Sequence, residues 1–326
     1  MGALREDLWP GLVGDIGGTN ARFGLVAAPG DEVRDIQTLA CADFASLDKA
    51  IESYLAQAGA AAPRSASLAV AGPVSGDRVR FSNRGWDFSK RGLSEAFELA
   101  QMTLLNDFEA LAYALPFLGD AELEQLGGGR IADGCAKAVV GPGTGLGVAG
   151  LAPCGDDWVA IAGEGGHVDL AAIEDLEIEV LKVVRSERGR VSAESLLSGP
   201  GLKRLYRALC TVDGVSPLAL EPPDITHYAL EGEDGRQRKL CRLTAEMFVS
   251  LLAGFAGNVA ITFGARGGLY LGGGVLGKLR PFYSDLSFRQ RFEAKGRMAD
   301  FVRAMPTFLI TAETPALTGA ASRLGR

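Results

Sequence analysis

The chain is poor in the residues that build specialised sites by number. It carries two histidines and five cysteines among 326 residues. The cysteines (Cys41, Cys135, Cys154, Cys210, Cys241) are widely spaced and form no CxxC pair. That excludes a disulfide framework or a cysteine-rich zinc module, and points to free thiols in a reducing, cytoplasmic setting. Long basic runs are absent too: Lys and Arg total 33 against 40 Asp and Glu, a formal charge of −7. Such a chain lacks the surface that neutralises nucleic-acid phosphates and is repelled by anionic membranes. The first eleven residues hold two acids and no apolar core, so they do not read as a signal peptide. One uncharged stretch, 247–265, is long enough to span a bilayer. Its Gly254, Gly257, Asn258 and Thr262 suit a buried helix that packs closely through small residues.

What the chain has in excess is glycine. There are 44, roughly twice the usual ~7%. Proline is limited to 14 and no G-X-Y period runs through the sequence, so the excess is not collagenous. At 47% hydrophobic and 22% charged the chain can bury a sizeable core, and its length suggests two domains.

Residues 11–27 read as strand, glycine turn, strand, with apolar alternation on both sides of DIGGTN. Apolar spacing predicts a helix over 46–58 with Ser46 as N-cap. A strand is expected at 67–74, a polar hairpin over 77–89, and a strand at 102–107 leading into a helix that Pro116 ends. A second hairpin follows over 137–151, then a strand with a polar tip at 158–170. Helices are expected at 173–188, 201–210 and 236–265, and short strands at 268–275 and 307–312. The C-terminus adds a short helix at 317–324. Two glycine hairpins about 125 residues apart, each followed by mixed α/β structure, suggest two related α/β halves.

Three glycine clusters follow strands: Gly14-Asp15-Ile16-Gly17-Gly18-Thr19, then Gly141 to Gly147 with Gly143-Thr144-Gly145 at its centre, and Gly272-Gly273-Gly274. Glycine lets backbone N–H groups approach an anion, and Thr19 and Thr144 add neutral donors. Two formal matches within these clusters fail on context. Gly145-x-Gly147-x-x-Gly150 fits a dinucleotide fingerprint, but the chain continues as strand where a helix must begin. Gly272 to Lys278 resembles a P-loop, but Leu279 stands where a Mg²⁺-ligating hydroxyl is required.

The polar candidates are Asn106-Asp107 at a strand end, Glu164 and His167 in a glycine-rich loop, and Glu194. Carboxylates, an amide and an imidazole suit a polyhydroxylated substrate, whose hydroxyls both donate and accept. Each also has a plain structural alternative. Asp107 suits an N-cap, His167 a core position, and Glu194 a helix N-terminus.

Taken together the residues resemble the bacterial glucokinase family of the actin-like (ribonuclease H-like) ATPase superfamily. The likeness runs through GDIGGTNARFGL (14–25), AGPVSGDRVRFSN (71–83), WDFS (86–89), LLNDFEALAYALP (104–116), VVGPGTGLGVAGL (139–151), GEGGHVDL (163–170), VSAESLLSGPGL (191–202) and LGGGV (271–275). It implies a two-domain α/β fold with an active-site cleft: a small domain over 1–107 joined by the C-terminal helix 313–326, and a large domain over 108–312. It implies phosphorylation of D-glucose at the 6-hydroxyl by ATP, with Asp107 as base and Asn83, Asn106, Glu164, His167 and Glu194 holding the sugar. Gly14, Asp15, Ile16, Gly17, Gly18 and Thr19, with Gly143, Thr144 and Gly145, would flank the phosphates. Asp15 would help place Mg²⁺ through water, and Gly272 and Gly273 would border the adenosine. A homodimer is the family's expectation. Zinc-bearing ROK (repressor–open reading frame–kinase) relatives are disfavoured, because no cysteine follows His167 until Cys210. Another hexose, polyphosphate as donor, a silent sugar sensor or a polymerising ATPase are the alternatives. On this reading most of the glycine excess serves nucleotide contact, and Gly127 to Gly129 is a surface turn.

Overall fold

The computed structural model describes residues 6–59, 61–72, 74, 76–80 and 86–326. The chain forms β1 (Gly11–Ile16), β2 (Asn20–Val26), β3 (Arg34–Ala40), α1 (Leu47–Ala58), β4 (Ser65–Val70), β5 (Arg78–Arg80), β6 (Asp87–Ser89), α2 (Lys90–Ala96), β7 (Gln101–Asn106) and α3 (Asp107–Ala114). It continues through β8 (Leu123–Gln125), β9 (Lys137–Pro142), β10 (Leu146–Cys154), β11 (Asp157–Gly163), α4 (Asp175–Arg188), α5 (Ala193–Leu196), α6 (Gly199–Val212), α7 (Pro222–Glu231) and α8 (Arg236–Phe263). It ends with β12 (Leu269–Leu271), α9 (Asp285–Glu293), α10 (Ala299–Arg303), β13 (Thr307–Ile310) and α11 (Pro315–Ala321). Two compact units emerge, one of residues 1–119, 154–162 and 312–326, the other of 120–153 and 163–311.

A five-stranded sheet has the order β3-β2-β1-β4-β7. β1 runs antiparallel to β2 and parallel to β4, and β4 runs parallel to β7. The register pairs Ile16 with Val70 and Val70 with Asn106, so three parallel strands stop at one level. Leu12, Ile16, Phe23, Leu68 and Val70 bury one face against Ile51 and Tyr54 of α1. A six-stranded sheet, β11-β10-β9-β12-β13-β8, repeats the plan. There β9 is antiparallel to β10 and parallel to β12, which is parallel to β13. Both expected glycine hairpins are therefore present, each at the end of a central parallel strand.

α8 is the long apolar stretch flagged as membrane-length. Its most apolar 18-residue window is 67% buried inside the protein, as expected for a core helix. At Gly257 a Cβ would lie 2.4 Å from the Phe292 carbonyl oxygen, so the helix packs there through its small residue. All five cysteines are free.

Some expectations need correction. Ser46 occupies the N-cap position of α1 with extended backbone, but its hydroxyl makes no capping bond. The strand expected at 67–74 runs over Ser65–Val70, because the chain turns at Gly72, φ +130°. β3 was not anticipated: it lies on a sheet edge, largely exposed, and lacks an apolar face to read. α9 escaped because Arg289 takes a buried place where an apolar residue would have marked the helix.

α11 lies against α3, within the first unit. A Cβ at Gly319 would stand 1.7 Å from the Ala110 carbonyl oxygen, so the two backbones touch at that point. Replacing Gly319 by valine must push α11 off α3. We expect Gly319→Val to cost about 1–3 kcal/mol and lower the melting temperature by several degrees, read by calorimetry. Unchanged melting would show that the contact yields at no cost.

Candidate active site

The β1–β2 turn is closed by Gly17 N–H donating to the Asn20 carbonyl at 2.9 Å. Antiparallel pairing sets Asp15 opposite Arg22. Arg22 Nη1 donates to Asp15 Oδ2 at 3.2 Å. Burial pushes the Asp15 carboxyl above its ordinary range, and the Arg22 guanidinium opposes the shift.

Asn106 ends β7 and caps α3. Its Oδ1 accepts from the Phe108 and Glu109 N–H groups at 2.9 and 3.4 Å, while Glu109 Oε2 accepts from its own N–H at 3.2 Å. This reciprocal pair is a capping box. Asn106 Nδ2 donates to the Gly72 carbonyl at 3.0 Å. The capping alternative raised for Asp107 therefore belongs to its neighbour. Asp107 is the first helical residue, and its Oδ1 accepts from Phe108 N–H at 2.9 Å, a bond that favours the ionised form and opposes the effect of burial. Burial drives its carboxyl up to about 6, and the nearby Asp15 charge adds to the rise. A carboxyl so displaced, at the end of a parallel strand, fits a proton-accepting role.

In the second unit, Gly143 N–H donates to the Gly145 carbonyl at 2.8 Å, and Gly199 N–H donates to the Gly143 carbonyl at 2.8 Å. Glu194 is not simply an acid at a helix start. Its Oε2 accepts from Leu146 N–H at 3.0 Å, and a Cβ on Gly145 would come within 2.5 Å of that oxygen. The Glu194 carboxylate thus braces the Gly143–Gly145 turn. Gly272 N–H donates to the Val140 carbonyl at 2.9 Å, which sets the Gly272-Gly273 turn beside the end of β9.

Glu164 and His167 flank a short 3₁₀ turn, with Nε2 and Oε2 3.9 Å apart and side chains 56% and 70% exposed for His167 and Glu164. A core role for His167 is therefore ruled out. The intervening glycines serve packing: a Cβ at Gly166 would lie 2.1 Å from the Leu146 carbonyl oxygen. Asn83 lies outside the described residues.

Sequence reasoning missed a cavity of about 620 Å³ beside Gly143 and Thr144. Its wall includes Gly199 and Pro200 at the start of α6, four cations (Arg188, Lys203, Arg204 and Arg207) and two acids, Glu187 and Glu221, the second paired with Lys203. Two of these cations, Lys203 and Arg207, lie four apart on α6, a spacing that places them on one helix face. That spacing was the available signal. The rejected dinucleotide match falls inside β10 and is indeed strand. Gly127 to Gly129 lies at the surface as expected, but it also packs: a Cβ at Gly129 would lie 1.9 Å from the Ala304 carbonyl oxygen, and one at Gly128 would lie 2.7 Å from Arg289 Nη1. The buried Arg289 guanidinium donates to the Met305 carbonyl at 2.9 Å, and the glycines give it room. Among the described residues no group of three His, Cys, Asp or Glu could hold a metal by protein ligands alone.

The glucokinase family model matches residues 12–326. A glucokinase of Chromobacterium violaceum is 45% identical over 98% of this chain and 90% of its own. The crystal structure of a glucokinase from an Antarctic psychrotroph superposes with a TM-score of 0.89 at 37% identity, covering 97% of this chain and 98% of that one. A ROK family glucokinase from Streptomyces griseus, solved with glucose and AMPPNP, shares the fold at a TM-score of 0.58 and 18% identity, covering 96% of this chain and 98% of that one.

The Asp107 shift has a consequence for stability. Its folded value, about 6, lies above the ordinary 3.8. Between those values the folded chain binds more protons than the unfolded one, so stability falls as pH rises through that window. The ionised carboxyl then costs on the order of 2 kcal/mol. We expect Asp107→Asn to melt above the parent at pH 8 and together with it at pH 4. Coincident melting at both pH values would place the carboxyl in its ordinary range.

Proposed function

The chain belongs to the glucokinase family, and on that footing we propose how its residues divide the phosphorylation of glucose by ATP. Asp107 is the base that accepts the proton of the 6-hydroxyl as its oxygen attacks the γ-phosphorus. The observation that carries this is the half-buried Asp107 carboxyl, raised to about 6 just after the end of β7, where Asn106 is the N-cap. A carboxylate of ordinary acidity is a weak proton acceptor, whereas one raised toward the operating pH is both ionised and more basic.

Glu164, His167 and Glu194 hold remaining sugar hydroxyls, a role we also assign to Asn83 and Asn106. The glycine turns at Gly14–Thr19 and Gly143–Gly145 present backbone N–H groups to the triphosphate, where positioning and charge stabilisation do most of the work in phosphoryl transfer. The nucleoside end runs past Gly272 and Gly273, and the cationic cavity at the start of α6 offsets phosphate charge. The Streptomyces griseus structure holds glucose and AMPPNP on the same fold, in keeping with a sugar and a nucleotide as the two substrates.

Mg²⁺ fits the residues present. Asp15, which belongs to no group of three candidate ligands among the described residues, suits an ion that keeps its waters and leans on substrate phosphates. When bound it would supply positive charge that offsets the charge of the transferring phosphate. Arg22 keeps Asp15 oriented for that role through its hydrogen bond.

Asp107→Asn is expected to lower kcat by about 10²–10⁴-fold in a coupled assay, with glucose affinity by calorimetry within a few-fold of the parent. Near-normal turnover would remove Asp107 as the base. Arg207→Ala is expected to raise KM for ATP several-fold and leave KM for glucose unchanged. The reverse pattern would detach the cavity from the nucleotide.

A further inference from the structure

Two of the groups assigned to the sugar, His167 and Glu194, come from segments far apart in sequence, and something must fix their separation. Two backbone hydrogen bonds run between the segments and together make an isolated antiparallel bridge of Asp169 with Ser192. Ala193 N–H donates to the Val168 carbonyl at 2.8 Å, and Leu170 N–H donates to the Val191 carbonyl at 3.3 Å. These hold residues 168–170 beside 191–193 but do not reach His167. One side chain does. Arg190 Nε donates to Asp169 Oδ1 at 2.8 Å, and its Nη2 donates to the His167 carbonyl at 2.9 Å.

We propose that Arg190 is a positioning residue for sugar binding. By spanning the Asp169 carboxylate and the His167 carbonyl, it pins the sugar loop to the segment that leads into Glu194. The planar guanidinium uses two edges at once, a geometry that an ammonium cannot copy. Both partners of the ion pair are exposed, 64% for Arg190 and 79% for Asp169, so the contact adds little to overall stability. Its effect falls on where His167 stands relative to Glu194. From the other side Gly166 already rests against the β10 backbone, so Arg190 completes a loop gripped on two faces. Hydroxyl recognition is sensitive to small displacements, because a hydrogen bond weakens steeply as its angle closes.

The proposal rests on His167 and Glu194 being sugar ligands, and the test separates the two ideas. Arg190→Ala, Arg190→Lys and His167→Ala are compared with the parent by steady-state kinetics, calorimetric glucose binding and thermal melting. Arg190→Ala is expected to raise KM and Kd for glucose by roughly five- to tenfold, with kcat, KM for ATP and melting temperature close to the parent. Arg190→Lys should recover only part of the loss. If His167→Ala weakens glucose binding while Arg190→Ala leaves it unchanged, the positioning role is wrong and the sugar site stands. If Arg190→Ala lowers kcat, raises KM for ATP and lowers melting together, its role is general support and the proposal fails. If His167→Ala leaves glucose affinity intact, the sugar-site reading falls and takes the proposal with it.

Discussion

Three parallel strands of the first sheet stop at the same level, and the site in that unit depends on this constraint. The register Ile16–Val70–Asn106 is set by continuous burial along β4, whose six residues are all enclosed. A slip of one residue would turn every side chain to the opposite face. With the register fixed, the chain leaves β1 through the Gly17 turn and leaves β7 into α3. Asp15 and Asp107 are thereby brought close enough for one carboxyl to shift the other. Asn106 accomplishes the second exit. By satisfying the first N–H groups of α3, it lets a helix begin at a buried strand end without orphaned donors.

Glycine serves two physical purposes in this chain, and composition alone does not separate them. Where a turn follows a central strand, as at Gly17 and Gly143, the residue closes a tight turn through its own N–H. Elsewhere the absent Cβ is what allows two backbones to meet. Gly319 against α3, Gly129 against Ala304, Gly257 against Phe292 and Gly166 against β10 are of this second kind. The expectation that nucleotide contact accounts for most of the excess gave too little weight to packing. Even in the GEGGH loop, Gly166 serves packing.

The legible parts of the fold were those with a strong local signal. Both glycine hairpins, the core helix α8 and the strand-to-helix step at 106–107 carry apolar alternation or a capping residue type that any reading detects. The choice between Asn106 and Asp107 as cap was not decidable, because both types cap well and only the bonds distinguish them. β3 and α9 were invisible for opposite reasons: one is an exposed edge without an apolar face, and the other buries an arginine. Arg190 gave no signal at all. An exposed arginine after a helix is ordinary in sequence, and its two bonds exist only once residues 167–169 are folded beside it. The cavity at the start of α6 likewise needs the Gly143 carbonyl brought to the Gly199 N–H before it has a wall.

Burying Asp107 works against the fold at neutral pH, and the surroundings explain why the chain tolerates it. The capping box holds the start of α3 from one side, at about 1 kcal/mol for a typical cap. The close backbone contact at Gly319 holds the body of the helix from another, reinforced by Arg323 over the Tyr113 ring at 4.5 Å. Each of these fixes the helix without touching the Asp107 carboxyl itself. Asp107 does accept from Phe108 N–H, which favours its ionised form, but Glu109 N–H goes to Asn106 instead and burial outweighs the single bond. Placing the cap one residue earlier separates the two duties: Asn106 stabilises the helix, and Asp107 keeps a carboxyl whose basicity is set by burial.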